Sequence, residues 1–114
     1  PARPRPRLSA AMSRVPVRHR VSFGTGLDRA DEGERERLAR FLKSACPTAC
    51  RVHVSGWGRS RKQRRLARAR GRWVVQQITR LGIPRERIAA PSVSTGRTPT
   101  RAGEHTIQVV IRER

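Results

Sequence analysis

The apolar positions of this chain come in short bursts of two different periods, and those periods predict its elements. "RHRVSFGTG" places Val21 and Phe23 on alternate positions and ends in two glycines, which predicts a short strand. In "LDRADEGERERLARFLKSA", Leu38, Phe41, Leu42 and Ala45 share one helical face. Asp28 or Asp31 can cap that helix, and acids cluster in its first turn, where they complement the dipole. "CRVHVSGWG" alternates Val52 and Val54 and breaks at Gly56 and Gly58, which predicts a second strand. A second helix is expected over residues 60–81, stopped by Gly82 in "LGIP". "ERIAAPSVS" is a third strand, "STGRTPTRAGE" is loop by composition, and "HTIQVVIRE" is a final strand with Ile107, Val109 and Ile111 alternating. Val110 adds apolar surface on that strand's other face.

The order is β-α-β-α-β-β. It predicts an α+β, two-layer sandwich with two helices on one face of a mixed sheet. The Pro/Arg alternation of "PARPRPRLSAAMSRVPV" cannot bury a core and favours extended structure. Residues 1–17 are therefore expected to be a linker or tail, and residues 18–114 the domain.

Charge changes the picture more than composition does. The 114 residues carry a formal net charge of +19, nearly all of it arginine, which points to anionic partners such as nucleic acid, anionic lipid or an envelope polymer. "GWGRSRKQRRLARARGRW" holds eight of the basic residues and no acid. On a helical wheel measured from Leu66, Leu81, Val74 and Ile78 fall at roughly 60°, 80° and 120°, and Trp73 at roughly 340°. This is the arc expected to be buried. Arg61, Arg64, Arg65, Arg68 and Arg72 fall on the opposite arc and form a basic face. Arg70 falls inside the apolar stripe, near 40°. A guanidinium there needs a carboxylate, a set of carbonyls or a ligand, because an unpaired buried charge is very costly. An ion pair with Glu104 or Asp28 is one expectation, and a carboxylate-binding site is the other.

Cys46 and Cys50 in "CPTAC" can close a small disulfide loop, remain two thiols, or contribute with His53 to a metal site that lacks a fourth ligand. No metal or other cofactor is predicted. His19, His53 and His105 have no recognisable nucleophile partner, and "GTG" and "GWG" are too short for a phosphate loop, so no enzyme is read here.

With these residues placed, the chain resembles the OmpA-like C-terminal domain, the peptidoglycan-associating module of bacterial envelope proteins. "LARARGRWVVQQITRLGI" matches the family's L-S-x-x-R-A-x-x-V-x-x-x-L-x-x-x-G-I helix at Leu66, Arg70, Val74, Ile78, Gly82 and Ile83. "VHVSGWGR" resembles its V-x-V-x-G-H-T-D strand. The resemblance implies the fold already read from pattern, and non-covalent binding of the peptidoglycan stem peptide in place of catalysis. It implies that Arg70 takes a carboxylate of that peptide, with Arg59 and Trp57 beside it. The family's diaminopimelate-binding Asp position is occupied by Arg59 or lost in a shortened loop, and its N-R-R reads "EHT". The ligand site is thus degenerate.

The resemblance implies a periplasmic anchor or scaffold, associated with the outer membrane or cell wall, in a secretion, pilus or outer-membrane assembly. Its partners would be peptidoglycan or another anionic polymer and protein subunits, with no small-molecule substrate. A disulfide between Cys46 and Cys50 would suit that compartment. The alternative is a basic nucleic-acid-binding protein, supported by charge but without a visible row of exposed strand aromatics.

Overall fold

In the computed structural model, residues 17–46, 49–95 and 105–112 are described. Their elements run β1 (Val17–Ser22), α1 (Glu32–Ala45), β2 (Arg51–Trp57), α2 (Arg61–Arg80), a 3-10 turn (Arg85–Arg87), β3 (Ser92–Ser94) and β4 (Thr106–Arg112). This is the predicted order. Val17, expected to close the linker, opens β1. The rest of that linker, the bulk of the "STGRTPTRAGE" loop and Glu104 lie outside the described residues.

The sheet order is β1-β4-β2-β3. β4 is antiparallel to both β1 and β2, while β3 runs parallel to β2, so the sheet is mixed. Register aligns Val21 with Ile107, Val54 with Val109, and Val52 with Ile111. These side chains form the inner face and meet Leu38 and Leu42 of α1 and Val74 and Ile78 of α2 in one core. The periods of the sequence show why: alternate strand positions and one helix stripe supply all of these residues.

Local chemistry fixes the helix ends. Asp31, rather than Asp28, caps α1, accepting a hydrogen bond from the Glu34 N–H at 2.8 Å. Ser60 and Gln63 form a reciprocal capping box at the start of α2. Gly82, at φ +104°, ends it, a backbone state that favours glycine. The wheel misplaces Leu81: it is 47% exposed, because it is the C-cap beyond the last helical residue.

Gly58 lets α2 come down on the end of β2. A Cβ there would stand 2.6 Å from the backbone nitrogen of Arg64 and 2.7 Å from the Gln63 carbonyl carbon. No side chain could be accommodated without moving the helix.

Cys46 and Cys50 are joined in a disulfide with a Cα–Cα distance of 5.7 Å, which decides among the three options open at the sequence level. It ties the end of α1 to the residue before β2, with Cys50 buried in the core.

The opposite face of the sheet carries Arg18, Arg20, Arg51, His53 and Arg112, all exposed. Register sets Arg51 directly across from Arg112 and His53 across from the half-buried Val110.

Candidate functional site: a buried arginine and a basic helix face

Arg70 is 3% exposed and lies on the core side of α2, as its place on the wheel predicts. Its partners among the described residues include two carbonyls of the turn after β1. Nε donates to the Leu27 carbonyl at 2.7 Å and Nη2 to the Gly24 carbonyl at 3.1 Å. The guanidinium carbon sits 5.1 Å from the centroid of the Phe23 ring, and Trp73 meets that same ring edge-on at 5.8 Å. The arginine thus fastens the Gly24–Leu27 turn to the middle of α2.

Burial lowers the Arg70 pKa, and the nearby Asp28 carboxylate opposes the shift. A guanidinium keeps its proton in this setting, so the charge is retained and is balanced by carbonyl dipoles and Asp28. The sequence frames the need for a partner correctly. The carbonyls of Gly24 and Leu27 are two of its partners, and Glu104, one of the two acids expected to pair with it, lies outside the described residues.

The other two residues expected beside Arg70 lie where β2 gives way to α2. Trp57 is the last residue of β2 and is half-buried. Val52, Val54 and Gly56 point inward, so alternation sends Trp57 to the face away from the helices. Arg59 is exposed in the turn before α2. Its backbone N–H donates to Gln63 Oε1 at 2.9 Å, and its carbonyl accepts from Arg64 Nη1 at 2.6 Å.

Of the basic face, Arg61, Arg65, Arg68 and Arg72 are exposed, as expected. Arg64 is half-buried, because its side chain folds back over the helix start onto the Arg59 carbonyl. α2 contains no acidic residue, so nothing on the helix itself neutralises this face.

The sequence names His19 only as a histidine without a nucleophile partner, and its packing role comes from the fold. It faces inward from β1 and stacks on Phe41 of α1, with ring centroids 4.9 Å apart. Its Nε2 is buried without a hydrogen-bond partner among the described residues. Desolvation lowers its pKa, countered by Glu34 and reinforced by Arg37. The inward register follows from counting alternate positions back from Val21, a signal the sequence does contain. The basic open face of the sheet was legible in the same alternation.

Among the described residues, no group of three His, Cys, Asp or Glu side chains could hold a metal ion. No described helix is long and apolar enough to cross a membrane.

No protein-family model matches the chain, and no curated protein matches it by sequence. Solved structures do match its fold. The periplasmic domain of Helicobacter pylori MotB superposes with a TM-score of 0.68 at 13% identity, covering 86% of this chain and 75% of that one. The OmpA-like domain of FopA1 from Francisella tularensis gives a TM-score of 0.64 at 14% identity, over 86% and 73% of the two chains. The peptidoglycan-associated lipoprotein from Burkholderia pseudomallei gives 0.59 at 19% identity, over 82% and 89%. The two helices, the four-stranded mixed sheet and these superpositions together show that this chain has the OmpA-like fold.

Proposed function

We propose that this chain is a non-catalytic cell-envelope domain in the periplasm, an anchor or scaffold within an envelope assembly. Its contact with peptidoglycan or another anionic envelope polymer runs through the arginine face of α2. The compartment and the class of partner are suggested by the proteins that share its fold, a periplasmic MotB domain and a peptidoglycan-associated lipoprotein. A disulfide suits an oxidising compartment.

One observation carries the choice of surface. Arg70, the residue the motif singles out for a carboxylate, is 3% exposed and holds the carbonyls of Gly24 and Leu27. Arg61, Arg65, Arg68 and Arg72 stand in solvent on a helix free of acids. A polymer can reach those four without disturbing the fold. To reach Arg70, it would have to displace a turn.

Co-sedimentation with isolated peptidoglycan tests this. The wild-type protein should be retained weakly at low salt and released as salt screens the contact. Arg61→Gln/Arg65→Gln/Arg68→Gln should lose most of the retention, whereas Arg70→Lys should keep it if folding is intact by circular dichroism. The reverse pattern would move binding to Arg70 and refute the proposed surface.

A second reading, nucleic-acid binding, is favoured by the open sheet face, where Trp57 shares a surface with Arg18, Arg20, Arg51 and Arg112. Phe23 and Trp73 are buried and Phe41 packs against the core, so one aromatic is the whole platform among the described residues. Sequence-dependent oligonucleotide binding that survives salt would establish this reading over the first.

A further inference from the structure

α2 has a second charged feature, distinct from its outward arginine face. Beyond its midpoint the helix is flanked by the connection that leads through the 3-10 turn to β3, and the two enclose an open cleft of about 360 Å³. Arg72, Gln76 and Arg80 line it from the helix, Arg85 from the turn and Pro91 from the approach to β3. Arg72, Gln76 and Arg80 are spaced four residues apart, so they form one stripe along the cleft. Pro91 is held against the helix at Gly71, where an added Cβ would come within 3.0 Å of the proline ring.

Three arginines therefore line one concavity, and among the described residues no carboxylate lines it. Glu86 is exposed on the turn beside Arg85 but is not part of the lining. The three arginines are exposed, and no hydrogen bond or ion pair ties their side chains to another described residue. The C-terminal end of a helix repels anions, with an effect equivalent to about half an elementary charge. Three arginines outweigh that several-fold. A concave wall also focuses their field more than a convex helix face does.

We propose that this cleft is a binding site for a phosphate group of high charge, a phosphomonoester or pyrophosphate. Charge count selects the class. A carboxylate or a phosphodiester brings one negative charge to a site that presents three positive ones. A monoester or pyrophosphate brings about two or more and has enough oxygens to meet guanidiniums from both walls. Gln76 adds an amide donor on the helix side. The Thr79 hydroxyl adds none, because it donates to the Val75 carbonyl at 2.9 Å. The site does not depend on the envelope reading: it shares only Arg72 with the outward face.

The test is calorimetric titration of the full chain with tripolyphosphate at fixed ionic strength. The variants are Arg72→Gln/Arg80→Gln/Arg85→Gln and, as a control of equal charge, Arg61→Gln/Arg65→Gln/Arg68→Gln. All six arginines are exposed, so both variants should fold. The cleft variant should bind at least about tenfold more weakly, and the control within about twofold of wild type. Equal losses in the two variants would show attraction to net charge alone and overturn the site. Absence of wild-type binding to both tripolyphosphate and phosphatidic acid vesicles would overturn it too. Binding to only one of these, lost in the cleft variant, supports the site and tells a free phosphate from a lipid headgroup. If an oligothymidylate binds more tightly than tripolyphosphate and is insensitive to the cleft variant, the phosphomonoester assignment fails.

Discussion

Arg70→Met separates a structural arginine from a ligand-binding one. Methionine keeps much of the side chain's length and apolar bulk but removes every donor. The wild-type side chain makes at least two hydrogen bonds, to Leu27 and Gly24, each worth about 1.5–3 kcal/mol for a charged donor. Its contact with the Phe23 ring adds about 0.5–2 kcal/mol. Two effects work against that sum. Removing the guanidinium also removes its desolvation cost, the same burial that lowers its pKa. Gly24 and Leu27 are exposed, so water can reach their carbonyls once the arginine is gone. The net expectation is a loss of about 2–4 kcal/mol, a large share of a small domain's stability. With a urea m-value of about 1–1.5 kcal/mol/M, the unfolding midpoint should fall by roughly 2 M. Arg70→Lys should fall in between, since one ammonium can serve only part of the carbonyl set. A methionine variant within about 0.5 kcal/mol of wild type would refute the clamp and return Arg70 to candidacy as a ligand-binding group.

Three other outcomes test the frame around that clamp. Gly58→Ala should cost about 1–3 kcal/mol, read by chemical denaturation, because its Cβ would press on the α2 backbone with no flexible side-chain end to yield. Reducing the Cys46–Cys50 bond should lower stability by about 2 kcal/mol, the loop-closure value for so short a ring, seen as a drop in unfolding midpoint with added reductant. The folded pKa of His19 is depressed below its unfolded value of 6.5, so the unfolded chain binds more protons once pH falls below about 6.5. Stability should be full above that pH and decline as acid is added, levelling off below the folded pKa; His19→Phe, which preserves the stack on Phe41, should remove this share of the pH dependence.

Most of the fold was legible because its burial follows simple periods. Leu38 and Leu42, Val52 and Val54, and Ile107, Val109 and Ile111 all lie in the core where alternation or a helical stripe put them. The wheel also picked Arg70 out of eight neighbouring basic residues. It could not supply the partner: carbonyls 43 and 46 residues away carry no residue-type signature in a sequence. Leu81 failed for a different reason, since a periodic argument does not know where the helix stops. Gln77 is 5% exposed, a burial its residue type does not signal. The tight approach at Gly58 was invisible as well, because a glycine after a strand reads as a turn signal whether or not a helix lies against it. The cleft of Arg72, Arg80 and Arg85 depends on how the chain doubles back from the end of α2 to β3, and no local pattern encodes that return.

The sheet order has a consequence for the order of events during synthesis. Of the four described strands β4 is made last, yet it sits between β1 and β2 and pairs Val17 with Ile111. Before it emerges, β1 has no neighbour and the sheet is split into unconnected parts. Such non-local pairing slows folding, since most of the loop-closure entropy is lost before any contact compensates. A nascent chain ending before Thr106 should therefore remain unfolded and open to proteases, and the domain should snap shut as one unit only when β4 arrives.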